Sequence, residues 1–141
     1  MRTDPPTAGD AENGTRPRLL IADDDRLVSA TLAVQLRAEF DVVGAAEDGD
    51  RAIELARAVQ PDVALVDVQM PGGGGLGTTR GITEVSPRTA IVILSVDESD
   101  QSVVELLNAG AMTYLRKGTP AGEIARRLHQ SIAAHERLDD C

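Results

Sequence analysis

The chain of 141 residues is poor in aromatic side chains and has a single cysteine. Phe40 and Tyr114 are its two aromatic residues, so a core has to be built from Leu, Val, Ile and Ala. Cys141 is the last residue, which excludes an internal disulfide and a cysteine-based metal site. This cysteine usage favours a reducing compartment.

Positive charge is also scarce, and long apolar runs are missing. The 14 Lys and Arg residues are outnumbered by 23 Asp and Glu, for a formal net charge of -9. Such a surface repels phosphate groups, which argues against nucleic acid and anionic membranes as partners of this domain itself. The chain begins with no apolar signal core and has no run long enough to span a membrane. We therefore expect a cytoplasmic protein that binds cations.

The chain does contain a regular alternation of apolar runs and polar stretches. Residues 1–17 are rich in Pro, Gly, Asp and Thr, which predicts a disordered N-terminal tail. One domain is expected over 18–138, and 139–141 would be a C-terminal tail or the start of a linker. Five short apolar runs lie in the domain, at 18–22, 41–46, 62–68, 89–95 and 111–115.

Helical patterns separate these runs. Ala52, Leu55, Ala56 and Val59 are spaced as on one face of a helix, and similar patterns follow the other runs. The runs are apolar on both faces, as is typical of strands that helices cover on both sides. The alternation predicts a single-domain α/β fold in which a five-stranded parallel sheet is doubly wound by helices.

Polar residues follow the apolar runs at the edge where a parallel sheet usually has its site. They are Asp23, Asp24 and Asp25 after the first run, Asp67 in the third, Ser95 in the fourth and Lys117 after the fifth. Clustered carboxylates need a cation among them, and Mg²⁺ prefers oxygen ligands. A lysine and a hydroxyl would complement a phosphoryl group, and an aspartate can itself accept one.

Four motifs carry a resemblance to a known family: LLIADDD, LVDVQMPG, IVILS and YLRKG, in this order. On these motifs, residues 18–136 resemble a response-regulator receiver domain, the phospho-accepting half of two-component signalling. The resemblance implies a flavodoxin-like (βα)5 fold with the strand order 2-1-3-4-5. It also implies a signalling switch that catalyses at most its own phosphotransfer and autodephosphorylation, with a sensor histidine kinase as partner.

The resemblance implies a role for individual positions of this chain. Asp67 would be the phospho-acceptor, and Mg²⁺ or Mn²⁺ would be held by Asp23, Asp24, Asp67 and the backbone carbonyl of Gln69. Ser95 and Lys117 would contact the phosphoryl group, and Tyr114 would be the aromatic residue that turns inward on activation. The surface around the fourth helix, fifth strand and fifth helix would then change.

Some features set the chain apart within the family. Gly118 follows Lys117 where many members have proline, and LSVDES follows the fourth run. Both features resemble the receivers of LuxR-type transcription regulators. Homodimerisation stays open, as does the presence of an output domain beyond Cys141. DNA binding would belong to such a domain and not to this one.

The glycine-rich stretch after Asp67 raises alternatives. Gly72, Gly74 and Gly77 fit the pattern G-x-G-x-x-G of dinucleotide sites, but they follow the third run, and Asp67 would repel a pyrophosphate. Each glycine within a helix costs about 1 kcal/mol against alanine. We therefore expect the helix over 76–85 to be short or mobile, and the loop 72–77 to be among the most mobile parts.

Two other functions compete with the phosphorylation switch. A phosphohydrolase with an aspartyl-phosphate intermediate, of the haloacid dehalogenase type, would carry D-x-D, whereas this chain has Asp67-Val68-Gln69. An interaction module that works without phosphorylation would usually have lost an acidic residue, the hydroxyl or the lysine, and all are present. His129 and His135, on the last helical pattern, are interpreted as surface residues.

Overall fold

The computed structural model describes residues 16–69, 74–96 and 100–139. The predicted N-terminal tail before residue 16, positions 72–73 of the glycine loop and Cys141 lie outside these residues. No helix among the described residues is long and apolar enough to cross a membrane.

Five strands and five helices alternate along the chain. They are β1 (Arg18–Ala22), α1 (Arg26–Leu36), β2 (Asp41–Ala46), α2 (Gly49–Val59), β3 (Val63–Asp67), α3 (Gly74–Val85), β4 (Ala90–Ser95), α4 (Asp100–Ala109), β5 (Ala111–Arg116) and α5 (Ala121–Asp139). All strand pairs are parallel, in the order β2-β1-β3-β4-β5. The predicted flavodoxin-like fold and strand order are confirmed, and each strand bound lies within one residue of its predicted run.

Each face of the sheet packs against its own group of helices. Leu19 and Ile21 of β1 belong to a buried cluster with residues of α1 and α5. Leu20 and Ala22 of the same strand point the other way, into a cluster with residues of α2, α3 and α4. This alternation explains why the strand is apolar at every position: both of its faces are covered.

Helix α3 is longer than predicted, with 12 residues from Gly74 to Val85. The prediction counted the glycines of this helix as unfavourable for its stability, and the structure shows that Gly81 packs closely against α2. A Cβ at Gly81 would lie 2.2 Å from Cδ1 of Ile53 in α2. The hydroxyls of Thr79 and Thr83 also donate to carbonyls one turn earlier, Gly75 and Thr79. Gly75, Thr78, Thr79 and Ile82 of α3 are buried, and this tertiary packing outweighs the low helix propensity of the segment.

At the edge where the strands begin, here called the amino edge, the chain forms a closed polar network. Gln60 adopts a left-handed conformation with φ of 47° and donates from Nε2 to the carbonyl of Val85 at 3.0 Å. Its Oε1 accepts a hydrogen bond from the buried Ser86, 3.2 Å away. The Thr89 hydroxyl donates to the carbonyl of Pro61 at 2.7 Å and lies 2.6 Å from Ser86 Oγ. These bonds join α2, α3 and β4.

Candidate functional site

The opposite edge, where the strands end, is the carboxyl edge, and it brings the predicted acidic residues together. β1 and β3 are neighbours, with Ala22 paired to Val66. Asp23 follows β1 and Asp67 ends β3, so their side chains reach the same point of the edge. The amide of Asp23 also donates to the carbonyl of Ala46 at 3.0 Å, which ties this turn to β2.

Three carboxylates form one cluster at this edge. Asp23, Asp24 and Asp67 each offer an oxygen, and these oxygens lie within 4.8 Å of one another. Asp23 and Asp67 are each only 1% exposed, whereas Asp24 is exposed. Oδ2 of Asp23 accepts no hydrogen bond from any residue that the structure describes. Burial raises the pKa of the Asp23 carboxyl, and the charge of Asp67 adds to this effect, although the amide of Asp25 opposes it.

A buried oxygen that accepts no hydrogen bond, among three carboxylates, fits a divalent cation with oxygen ligands. Buried carboxylates repel one another unless positive charge lies between them. Mg²⁺ takes one or two carboxylates and keeps several waters, and Mn²⁺ accepts the same ligands. Asp23, Asp24 and Asp67 therefore form a donor set that matches such an ion, and the exposed Asp24 leaves the cluster open to solvent.

The Lys117 ammonium group places one positive charge beside the acidic cluster. Its Nζ donates to Asp67 Oδ2 at 2.9 Å and lies 3.6 Å from Asp23 Oδ2. Burial alone would lower the pKa of Lys117, but the hydrogen bond that Lys117 donates to Asp67 and the charges of both aspartates outweigh it and raise that pKa. Lys117 is also the only lysine in the chain, a signal in the sequence that the motif analysis did not use.

Backbone amides hold the other side of the Asp67 carboxylate. The N–H of Gln69 donates to Asp67 Oδ1 at 3.0 Å. Val68, which joins these two residues, donates from its own N–H to the carbonyl of Leu94 at 3.1 Å and accepts from the N–H of Gly75 at 2.8 Å. One oxygen of Asp67 is thus bound by the backbone and the other by Lys117, which fixes the orientation of the carboxylate. Nothing in the amino-acid pattern indicates the Gly75 contact.

The remaining predicted site residues lie beside this cluster. Ser95 ends β4 and is buried, and its carbonyl accepts from the N–H of Lys117 at 3.0 Å. A cavity of about 480 Å³ is lined by Ser95, Val96, Arg116, Lys117, Gly118 and Thr119. Tyr114 pairs with Ile93 across β4 and β5 and is half-buried against the cluster formed with α2, α3 and α4.

Other polar residues near the edge serve the local structure. Oδ1 of Asp25 accepts from the N–H of Leu27 at 2.9 Å, so Asp25 caps α1.

His129 and His135 lie away from the acidic cluster. The ring of His129 stacks on Phe40 with centroids 4.5 Å apart, and His135 Nε2 lies 2.9 Å from the carbonyl of Pro87.

Comparison with known sequences points to one family. A family model of the response regulator receiver domain matches residues 19–129. Response regulator GacA of Pseudomonas aeruginosa is 36% identical over 123 residues, which are 86% of this chain and 58% of the relative. The nitrate/nitrite response regulator protein NarL of Escherichia coli strain K12 is 33% identical over 124 residues, 86% of this chain and 57% of the relative. The chain thus spans somewhat more than half the length of these relatives.

Solved structures agree with this assignment. The signal receiver domain of the response regulator NarL from Mycobacterium tuberculosis superposes with a TM-score of 0.79 at 29% identity, covering 84% of this chain and 97% of that one. A two-component response regulator of the LuxR family from Aurantimonas sp. SI85-9A1 gives a TM-score of 0.77 at 25% identity, covering 85% of this chain and 87% of that one.

Proposed function

The chain belongs to the response regulator receiver domain family of two-component systems, and from this premise we propose that Asp67 accepts a phosphoryl group in a Mg²⁺-dependent reaction. A sensor histidine kinase or a small phosphodonor would supply the group. The observation that carries the proposal is the buried Asp67 carboxylate, bound by Lys117 on one oxygen and next to an oxygen of Asp23 that accepts no hydrogen bond.

The chemistry of the transfer is nucleophilic attack by a carboxylate oxygen. An oxygen of Asp67 bonds to phosphorus as the bond between phosphorus and the donor's leaving group breaks, and the leaving group departs with the electron pair. The product is a mixed anhydride on Asp67. The Gln69 amide keeps one carboxylate oxygen in place, while Lys117 moves from the carboxylate to the new phosphoryl oxygens.

The acidic cluster would hold the ion that this reaction needs. Asp23, Asp24 and Asp67 supply carboxylate ligands, and Gln69 supplies its backbone carbonyl. When bound, Mg²⁺ neutralises charge on the phosphoryl oxygens and on the carboxylates. Without such an ion, a dianionic phosphoryl group approaching three carboxylates would be repelled.

The same site can convert phosphorylation into a change of surface. Ser95 would follow the phosphoryl group, because it is buried at the end of β4 and lines the same cavity as Lys117. Tyr114 would then pack inward, where it already touches the core formed with α4. The affected surface would be that of α4, β5 and α5, which suits a signalling switch better than an enzyme acting on other substrates.

Domain limits and partners follow from the same proposal. We place the receiver domain at 18–138, between the tail 1–17 and residues 139–141, and in the cytoplasm, where sensor kinases expose their kinase domains. The formal charge of -9 argues against nucleic acid binding by the domain itself. A homodimer remains open to test by sedimentation of the phosphorylated and unphosphorylated chain.

Labelling with phosphodonor tests the proposal. The chain is incubated with radiolabelled acetyl phosphate and MgCl₂, and incorporation is measured with and without EDTA. We expect one phosphoryl group per chain that depends on Mg²⁺ and disappears in Asp67→Asn. Asp62→Asn, at the amino edge, is the matched control and should keep the label. Label that persists in Asp67→Asn would show that another residue is the acceptor.

A further inference from the structure

The first turn of α3 comes unusually close to the residue that follows Asp67. The N–H of Gly75 donates to the carbonyl of Val68 at 2.8 Å. A Cβ built on Gly75 would lie 2.6 Å from Val68 Cα, 3.2 Å from its carbonyl oxygen and 3.3 Å from its carbonyl carbon. All three atoms belong to the backbone, so no change of side-chain rotamer could make room. Any residue other than glycine must push α3 and Val68 apart.

Val68 links the groups on which the proposed reaction depends. It lies between Asp67 and Gln69, whose N–H orients the Asp67 carboxylate. Its backbone is held from one side by the carbonyl of Leu94 in β4 and from the other by Gly75. A displacement of Val68 therefore displaces both the carboxylate of Asp67 and the backbone of Gln69.

We propose that Gly75 is a positioning residue for phosphoryl transfer and for binding of the divalent ion. Because it lacks a Cβ, α3 can pack directly against Val68 and hold Asp67 and the Gln69 backbone in the geometry that the ion requires. The inference rests on the proposed function of Asp67. Groups that orient metal ligands typically change metal affinity by about 10–100-fold when they are altered.

Two other glycines of α3 provide matched controls. A Cβ at Gly77 would meet nothing within 4 Å, so Gly77→Ala changes only the helix propensity of the segment. A Cβ at Gly81 would lie 2.2 Å from Ile53 Cδ1 and 2.6 Å from its Cγ1, in α2. Gly81→Ala therefore damages packing at the end of α3 that is away from Asp67.

The experiment measures Mg²⁺ binding by isothermal titration calorimetry on the three alanine variants and the wild type, using the whole chain. Thermal unfolding in EDTA reports the stability of each metal-free protein. We expect Gly75→Ala to weaken Mg²⁺ binding by about 10–100-fold. Gly77→Ala should bind as the wild type does, and Gly81→Ala should unfold at a lower temperature with unchanged Mg²⁺ affinity.

The dependence of labelling on Mg²⁺ gives a second readout. In Gly75→Ala the Mg²⁺ concentration for half-maximal phosphoryl incorporation should rise, and excess Mg²⁺ should restore part of the rate. If Gly75→Ala does not fold, the change is repeated in the Gly77→Ala background, where the helix is favoured. A chain that is unfolded in both backgrounds has lost a folding residue, which overturns the positioning role.

The outcomes separate this inference from the proposed function. A wild type that binds no Mg²⁺ and takes no label refutes the proposed function and, with it, the role of Gly75. A wild type that does both, together with a Gly75→Ala variant of unchanged Mg²⁺ affinity, refutes the role of Gly75 alone. Equal losses of affinity in Gly75→Ala and Gly81→Ala would indicate general loosening of α3 and would also refute it.

Discussion

The amino and carboxyl edges of the sheet both bury polar side chains, but they satisfy them differently. At the amino edge, Ser86 and Thr89 are 0% and 3% exposed, and their hydroxyls have partners in each other, Gln60 and Pro61. At the carboxyl edge, Asp23 is as deeply buried, yet one of its oxygens has no hydrogen-bond donor among the described residues. These three side chains are therefore similarly buried, but of them only Asp23 has an oxygen that accepts no hydrogen bond and is available to bind a cation.

This difference separates stability from function within one sheet. A closed hydrogen-bond network lowers the free energy of the folded state, and no ligand can improve it. A cluster of buried carboxylates raises that free energy until a cation binds, and such perturbed groups mark functional sites. The amino edge thus holds the strands together, and the carboxyl edge is where we propose that an ion binds and Asp67 accepts a phosphoryl group.

The largest effect on stability is expected from Lys117→Ala. The substitution leaves Asp67 and Asp23 buried without their nearest positive charge, and breaking a buried ion pair costs about 3–5 kcal/mol. Because the Lys117 side chain is 27% exposed, we expect a value near the lower limit. Urea unfolding in EDTA measures the change. The contrast is Arg88→Ala at the amino edge, where the exposed pair with Asp62 should be worth less than about 1 kcal/mol.

The chain also allows a chemical test of the same ion pair. Lys117 is the only lysine, so an amine-reactive reagent can modify only this side chain and the N-terminus. The raised pKa and the bond to Asp67 should make Lys117 react slowly, and Asp67→Asn should speed the reaction, as read by mass spectrometry.

In the urea experiment, equal losses in the free energy of unfolding for Lys117→Ala and Arg88→Ala would remove the proposed contrast between the edges.

Substitution of one buried polar group at each edge should change stability in opposite directions. Asp23→Asn removes a desolvated charge that repels Asp67 and should stabilise the metal-free protein by about 1–2 kcal/mol. Thr89→Val removes the bond to the Pro61 carbonyl and should destabilise it by about 1–3 kcal/mol. Urea unfolding in EDTA gives both values.

The affinity for Mg²⁺ should depend on the buried polar group at the carboxyl edge and not on the one at the amino edge. Asp23→Asn should weaken Mg²⁺ binding, whereas Thr89→Val should leave it unchanged, because all the proposed ligands of the ion lie at the carboxyl edge. A destabilised Asp23→Asn protein, or a Thr89→Val protein with reduced Mg²⁺ affinity, would contradict the division between the two edges.

A pH dependence follows from the raised pKa of Asp23. Between the ordinary carboxyl pKa and the raised one, the folded protein binds more protons than the unfolded chain. The contribution of Asp23 to the stability of the metal-free protein must then fall as the pH rises through this interval. The advantage of Asp23→Asn should therefore be small at acidic pH and should grow toward neutral pH. Unfolding curves of both proteins across this range in EDTA measure it, and a constant difference would refute it.

The smallest effect on stability is expected from Gln69→Ala. The Gln69 side chain is exposed, and the bond to Asp67 comes from its backbone, so stability should change by less than about 0.5 kcal/mol. Its side chain could still control the access of water to a phosphoryl group on Asp67. We expect a changed rate of label loss with unchanged Mg²⁺ affinity. Equal dephosphorylation rates in variant and wild type would exclude this role.

The sequence predicted those features that depend on local pattern and chain order. The apolar runs gave the strands to within one residue, and the position of Asp23 after β1 and Asp67 at the end of β3 gave the acidic cluster once the strands were ordered. The family motifs led to Lys117, which the structure places 2.9 Å from Asp67. The roles of Ser95 and Tyr114 in switching stay predictions.

Features that depend on a distant neighbour were not predictable. The glycines of the third helix were interpreted only as a cost in helix propensity, because the side chain that packs against Gly81, Ile53, comes from another helix. Gly75 was interpreted as part of a soft loop, whereas its contact is with Val68 after the preceding strand. The mobility expected for 72–77 stays a prediction, and the described part of this stretch, from Gly74 onward, is helical.

Mapping the phosphorylated residue tests the central claim most directly. The chain is incubated with acetyl phosphate and MgCl₂, the acyl phosphate is reduced with borohydride, and the peptides are sequenced by mass spectrometry. Reduction converts a phosphorylated aspartate to homoserine. The account predicts homoserine at position 67 alone, in a reaction that EDTA prevents. Homoserine at another aspartate, or none in a chain that binds Mg²⁺, would contradict it.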